Sequence, residues 1–340
     1  MTAEVFSAAE TVPLVLKRVR GLVQPELRAA VDRLDEDSRA MTAYHFGWTD
    51  PNGVPARGNG GKAVRSALAV LSAEAAGAPA RLGVPGGVAV ELVHNFSLVH
   101  DDLMDGDTER RHRPTVWALW GSANAILTGD AMLALALEVV LESGSPHAGA
   151  AGQLLTETTR RLIRGQLLDV AFEQRDDVTL AECVAMAAGK TGALLSASSA
   201  IGAVLAGAPA EVTDALTVFG EEIGLAFQLV DDMLGIWGNP AVTGKPIYSD
   251  LRARKKSLPI TYATTHGGAA GRELASWLST GDDADLAEVA ALVDAAGGRD
   301  WAVAEAARHV AVAEGALAGL PPGPRAELTA IARFIAGRDA

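Results

Sequence analysis

Two short acidic runs are set apart from the other carboxylates by the residues that lead into them. Asp101-Asp102-Leu103-Met104-Asp105 closes the apolar run Phe96 to Val99, and Asp101 and Asp105 are four residues apart. On a helix this spacing puts two carboxylates on one face about a turn apart, which is repulsive unless a cation bridges them. Carboxylate oxygens alone suit Mg²⁺, which keeps waters and shares the oxygens of a bound phosphate. Phe227-Gln228-Leu229-Val230-Asp231-Asp232 repeats the design, since an apolar helical run from Glu222 ends in adjacent carboxylates. Asp176-Asp177 and Asp282-Asp283 lack such a lead-in and read as solvated helix ends.

Cations follow each run. Arg110, Arg111 and Arg113 come after the first, and Lys245, Lys255 and Lys256 after the second, where a metal-bound polyphosphate needs positive charge. Gly60-Gly61-Lys62 with Arg65 adds a phosphate clamp, its glycines admitting close backbone approach. It is not a nucleotide P-loop, because Ala56 stands for the first glycine of that pattern and Ala63 for its Ser/Thr. His94 lies seven residues before Asp101 on the same helical face, which favours substrate contact over a core histidine.

The elements that must carry these groups are helices. Apolar residues recur at helical spacing, as from Ala131 to Val140, and β-branched alternation is scarce, so the chain reads as all-α. Gly and Pro clusters predict punctuation at Asp50 to Gly61, Gly77 to Gly87, Gly106 to Pro114, Gly144 to Pro146, Gly238 to Pro246 and Leu320 to Pro324. None resembles a long linker and no repeat is present, so residues 1–340 are expected to form one large helical bundle.

Composition narrows the function. Among 340 residues the formal charge is −13, which disfavours nucleic acid and anionic lipid as partners. Cys183 is alone, so no internal disulfide or cysteine-rich zinc site forms, and a cytoplasmic protein is expected. Glu4 and Glu10 precede Lys17, Arg18 and Arg20, the reverse of an export signal. Thr191 to Ala210 is uncharged and long enough to suggest a transmembrane span, but its serines, glycines and Pro209 predict an interior helix instead, so no transmembrane segment is expected.

Taken in order, the motifs resemble the trans-isoprenyl diphosphate synthases. They are Gly60-Gly61-Lys62-x-x-Arg65, Glu91-x-x-His94, Ser97 through Asp105, Arg110-Arg111, Gly129-Asp130, Gly165-Gln166, Lys190-Thr191, Phe227 through Asp232, Gly244-Lys245 and Asp250-Leu251 with Lys255. The resemblance implies an isoprenoid synthase bundle around a central cavity, with the two aspartate motifs facing each other and three Mg²⁺ on an allylic diphosphate. It implies a homodimer that ionises the allylic C–O bond and lets isopentenyl diphosphate attack the cation. Asp101, Asp105 and Asp231 are then principal metal ligands, with Asp102 and Asp232 as further ligands or supports behind them. Arg110, Lys190, Lys245 and Lys255 are expected on the allylic diphosphate, and Lys62, Arg65, His94 and Arg111 on isopentenyl diphosphate. Thr191 and Gln228 are expected to aim oxygen dipoles at the carbocation.

Some positions depart from the pattern. Gly235 stands where a third aspartate of the second motif is common, Ala63 replaces an arginine, Ser66 a proline, and His112-Arg113 a glycine-led turn. Phe96, about 7.5 Å along a helix from Asp101 and beside the small Ser97, is a candidate floor for the growing chain or an ordinary packing residue. By resemblance it points to geranylgeranyl diphosphate as the product. Farnesyl diphosphate synthase, a class I terpene cyclase and a non-catalytic regulatory subunit are the alternatives. The low aromatic content, 5%, and the cations for a second diphosphate disfavour the cyclase. Tyr44-His45-Phe46-x-Trp48 reads as a packing patch at a helix end or a flap over the entrance.

Overall fold

The computed structural model describes residues 8–56, 63–240, 246–280 and 283–337. In chain order the first ten α-helices are α1 (Ala8–Val31), α2 (Glu36–His45), α3 (Val64–Ala75), α4 (Val84–Met104), α5 (Val116–Trp120), α6 (Ser122–Leu141), α7 (Ala148–Glu173), α8 (Leu180–Ala187), α9 (Ala193–Leu205) and α10 (Ala210–Trp237). Further helices follow from Ser249 to Ala336. Among the described residues the only paired strands are β1 (Glu109–Arg110) and β2 (Arg113–Pro114), so the chain is all-α as its periodicity predicts.

Local chemistry sets the helix ends. Asp35 caps α2 by accepting from the Ser38 N–H, and Thr179 with Glu182 forms a reciprocal capping box on α8. The helix α4 opens at Val84, with Pro85 in its first turn, so the punctuation expected through Gly87 stops short. Gly86 and Gly87 lie inside that helix because neighbours press on its backbone. A Cβ on Gly86 would stand 2.7 Å from Ile201 Cγ2.

The described residues form two compact units. One comprises Met1–Glu157, Ala197–Thr217 and Gly319–Ile331. Its core is built on α3, α4 and α6, with Leu68, Leu71, Leu92 and Met132 fully buried. The other comprises Thr158–Ser196, Val218–Ala318 and Ala332–Ala340. There Leu229, Val230 and Met233 of α10 pack with Phe172, Cys183 and Leu258, and Ile236 packs in a second cluster with Leu251, Ile260 and Leu274.

The uncharged stretch from Thr191 supplies α9, whose 13 residues include buried Leu194, Leu195, Ser198 and Ile201, so it is an interior helix. Two other stretches, Ala80–Met104 and Ser122–Leu141, are long and apolar enough to cross a bilayer. The first is 67% buried inside the protein, as a core helix is, whereas the second is 39% buried and exposes Ile126, Leu127 and Leu141.

Candidate active site

The first acidic run occupies the end of α4. Asp105 caps the helix, its N–H donating to the Asp101 carbonyl at 2.8 Å, so the two side chains remain about a turn apart. The three carboxylates are not equivalent. Asp101 is half-buried and Asp105 exposed, while Asp102 turns inward and accepts from Arg110 Nε at 2.6 Å. Burial, only partly offset by Arg110, pushes the Asp102 carboxyl up to about 6. Its Oδ2 is buried without a hydrogen-bond partner.

Arg110 and Arg113 pair across the hairpin, leaving Arg111 and His112 as its two-residue turn with φ of 53° and 61°. Left-handed values at both positions define the turn that matches strand twist, a place usually filled by Asn-Gly. Arg113 explains how the hairpin is held. Its guanidinium donates to the carbonyls of Tyr44 and Thr49 at 2.9 and 2.7 Å and stacks on the Tyr44 ring, while the Tyr44 hydroxyl donates to the Pro114 carbonyl. The aromatic cluster at residues 44–48 is therefore a packing patch that fixes the arginine hairpin. His45, Asp102, Arg110, Arg111 and Arg113 line a cavity beside it.

Two histidines face these arginines. Asn95 Nδ2 donates to the Glu91 carbonyl, which turns its Oδ1 toward His45 Nε2 at 3.1 Å, so His45 donates to it. Burial, with Arg111 and Arg110 nearby, pushes His45 down to about 3. Burial and the charges of Arg65, Arg111 and Arg110 likewise hold His94 well below its ordinary value. Glu91 accepts from the Ser66 N–H at 3.2 Å and the Ser66 hydroxyl at 2.9 Å, neither of which the proline of the family pattern can offer. Phe96 is buried with its ring edge-on to His100, and Ser97 Oγ donates to the His94 carbonyl.

The sign of the His45 shift makes a prediction. Below the ordinary histidine value the unfolded chain takes up a proton that the folded chain refuses, so stability falls as pH drops. Without substrate, wild type is expected to lose about 2 kcal/mol more than His45→Gln between about pH 7.5 and pH 5. Urea titrations at the two pH values measure this difference, and parallel losses would refute it.

The second run lies in the C-terminal part of α10, which continues to Trp237, within the other unit, and its aspartates divide in the same way. Asp231 is exposed, whereas Asp232 is buried and accepts from Gln228 Nε2 at 2.7 Å and from the Leu258 N–H at 2.9 Å. Burial and the charge of Asp250 push Asp232 up to about 7 against those two donors. Gln228 Oε1 in turn accepts from Thr191 Oγ1 at 2.6 Å, so Thr191, Gln228 and Asp232 form one chain of hydrogen bonds. Lys190 and Thr191 lie in a π-helical turn, Ala188–Gly192. Lys190 Nζ donates to Asp169 Oδ2 at 2.5 Å.

Asp169 is a carboxylate that the sequence reading passed over. It has no apolar-run signature, and its signal is the spacing Gln166-x-x-Asp169, which sets both on one side of α7. Gln166 is buried with neither amide atom hydrogen-bonded, a costly condition that a bound polar group relieves. Lys255 is exposed, its N–H donating to the Asp250 carbonyl at 2.9 Å. Lys62 and Lys245 lie outside the described residues.

Hard oxygen ligands in the two runs, with the Arg110 guanidinium on the first and Lys190 next to the Thr191 that is joined to the second through Gln228, suit Mg²⁺ carried with a polyphosphate. The orphaned Asp102 Oδ2 fits a cation in the same way. Among the described residues no three His, Cys, Asp or Glu side chains converge on one metal position.

Comparison with known proteins accounts for this constellation. Residues 56–296 match the family model described as polyprenyl synthetase. The (2E,6E)-farnesyl diphosphate synthase of Mycobacterium tuberculosis H37Rv is 57% identical over 334 residues, covering 96% of this chain and 93% of that protein. The geranylgeranyl diphosphate synthase of the same organism is 40% identical over 330 residues, with the same coverage. The crystal structure of a polyprenyl synthetase from Streptomyces coelicolor A3(2) superposes with a TM-score of 0.91 at 53% identity, covering 95% of this chain and 99% of that one. Such agreement along almost the whole length, in sequence and in all-α fold, means that the chain belongs to the polyprenyl synthetase family and is a prenyltransferase of the short-chain type.

Proposed function

We propose that this enzyme joins isopentenyl diphosphate to an allylic diphosphate with the help of Mg²⁺, three ions when substrate is bound, and stops at farnesyl diphosphate. The observation that carries the reading is the shared division of labour in the two acidic runs. In each, the first aspartate is the less buried, half-buried at Asp101 and exposed at Asp231, and the second is buried and bonded to a neighbouring element.

When bound, Mg²⁺ would supply positive charge to the leaving diphosphate. Asp101, Asp105 and Asp231 would hold it, while Asp102 and Asp232 fix the hairpin and the Leu258 turn that carry cations. Arg110, Lys190, Lys245 and Lys255 contact the allylic diphosphate. Lys62, Arg65, His94 and Arg111 hold isopentenyl diphosphate, with His94 neutral and able to donate one hydrogen bond. Thr191 and Gln228 are held in place by their mutual hydrogen bond and by Asp232, which preorganises the oxygens that would face the allylic cation. The proton lost at the end passes to the released diphosphate.

The 57% identity to farnesyl diphosphate synthases, against 40% to a geranylgeranyl diphosphate synthase, favours the C15 product. Phe96 favours the second reading, geranylgeranyl diphosphate, because it is the bulky side chain one and a half turns before Asp101. We further read residues 1–340 as one functional domain, the enzyme as a homodimer and its location as cytoplasmic. The exposed apolar residues of α6 support the homodimer, and the acidic charge and single buried cysteine support the location.

Product analysis decides chain length. Purified enzyme incubated with isopentenyl diphosphate and dimethylallyl, geranyl or farnesyl diphosphate in Mg²⁺ is expected to accumulate a C15 diphosphate and to use farnesyl diphosphate poorly. A dominant C20 product would establish the second reading, and a cyclic hydrocarbon formed without isopentenyl diphosphate would overturn both. Phe96→Ala is expected to lengthen the product by at least one C5 unit, at a cost of about 3–5 kcal/mol for emptying a buried site. An unchanged product would show that Phe96 only packs.

A further inference from the structure

The segment that carries Lys255 turns on a residue of unexpected type. After the short helix Ser249–Arg252 the Arg254 N–H donates to the Leu251 carbonyl at 3.0 Å and the Lys255 N–H to the Asp250 carbonyl at 2.9 Å. This pair of bonds closes a helix when the residue donating the first of them is left-handed, a place that glycine usually fills because it has no Cβ. Arg254 stands there with φ of 50°. A side chain in this conformation costs free energy that glycine would not, so it persists only where its surroundings hold it.

The guanidinium supplies the hold. Arg254 Nη1 donates to the Trp277 carbonyl at 2.5 Å, and Arg254 Cζ lies 4.3 Å from the centroid of the Trp277 ring. That carbonyl is among the last four of the helix Gly268–Thr280, where the helix dipole favours a cation, as the indole face also does. Trp277 packs against the core cluster that contains Ile236 and Leu251, so the anchor and the turn share one base. Beyond Lys255 the chain is fastened again. Cys183 Sγ donates to the Lys256 carbonyl at 3.1 Å, and the Leu258 N–H donates to Asp232. Lys255 thus stands, exposed, between two fixed points of backbone.

We propose that Arg254 is a positioning residue for Lys255: its guanidinium, clamped on Trp277, holds the left-handed turn that sets the direction in which the Lys255 side chain leaves the backbone. The inference rests on the reading above that Lys255 contacts the allylic diphosphate. Glycine at 254 forms the same turn without strain but leaves it free to move, so ordering Lys255 on the substrate then costs entropy that the clamp has already removed. Arginine gives up some backbone stability for a lysine that is aimed before substrate arrives.

Arg254→Gly tests this, because glycine accepts the observed φ and the fold is not put at risk. Calorimetric titration with geranyl diphosphate in Mg²⁺ is expected to give a Kd about five- to tenfold weaker than wild type, the cost of ordering one long side chain. The KM for isopentenyl diphosphate is expected to stay within about twofold, since the groups that hold it lie on other segments, and Tm within a few degrees. Lys255→Ala is expected to weaken geranyl diphosphate binding at least as much. Arg254→Gly combined with Lys255→Ala is expected to bind no more weakly than Lys255→Ala alone, because a residue that acts through another adds nothing once that one is gone. Wild-type affinity in Arg254→Gly would overturn the proposal, as would a further loss in the double variant. Parallel losses for both substrates with a fall in Tm would also overturn it, by showing a merely structural role. If Lys255→Ala itself binds geranyl diphosphate as wild type does, the reading of Lys255 falls and this proposal with it.

Discussion

Asp101→Ala and Asp231→Ala are each expected to lower kcat about 10³-fold while the melting temperature stays within a few degrees of wild type. The kinetic expectation follows from charge. Diphosphate leaves as a polyanion, and removing one preorganised group that stabilises such charge costs about 10²–10³, with loss of a metal ligand at the upper end. A thousandfold loss corresponds to about 4 kcal/mol of transition-state stabilisation. The stability expectation follows from placement, since Asp231 is exposed and Asp101 is half-buried in the last turn of α4, where a carboxylate opposes the helix dipole.

Asp102→Ala and Asp232→Ala provide the contrast. The first strips Arg110 Nε of its acceptor, and the second leaves the Leu258 N–H and Gln228 amide without one, so both are expected to melt earlier. Circular-dichroism melts with steady-state kinetics on all four variants separate the classes. Near-normal turnover in Asp101→Ala or Asp231→Ala would sink the ligand assignment. Equal loss of Tm in all four would refute the division between outer and inner aspartates.

That division was implied by the family resemblance but was not legible in the spacing of the residues, although the runs themselves were. An apolar stretch ending in acids identifies a buried helix that emerges at a charged end, which is why Asp101 and Asp231 stand out from Asp176 and Asp282. Which aspartate of an adjacent pair turns inward depends on the donor waiting there. Arg110 and the Leu258 N–H are brought by tertiary structure from 8 and 26 residues away. Asp169 was hidden for the same reason, because it matters through a neighbour, Lys190, that periodicity cannot pair with it. The Arg111-His112 turn escaped because its residue types are not those that favour left-handed φ. All-α architecture was legible, since helical spacing recurs in almost every segment.

Gly165→Ala tests whether the Lys190 turn must be pressed against α7. A Cβ at 165 would stand 2.2 Å from the Lys190 backbone nitrogen and 2.7 Å from the Gly189 carbonyl carbon. No rotamer change relieves contact with backbone, so the π-helical turn itself must move. Lys190 and Thr191 would move with it, away from Asp169 and Gln228. Overpacking costs about 1–3 kcal/mol, and a shift of about 1 Å in a positioning group costs about 10²-fold in rate. Gly149→Ala on the same helix is the control, because nothing lies within 4 Å of a Cβ there. It is expected to leave kcat unchanged and to raise stability by up to about 1 kcal/mol through helix propensity. If Gly165→Ala behaves like this control, Lys190 and Thr191 do not depend on the close approach of α7. If it loses rate far beyond its loss of stability, the missing side chain at 165 is what holds the turn in its working position.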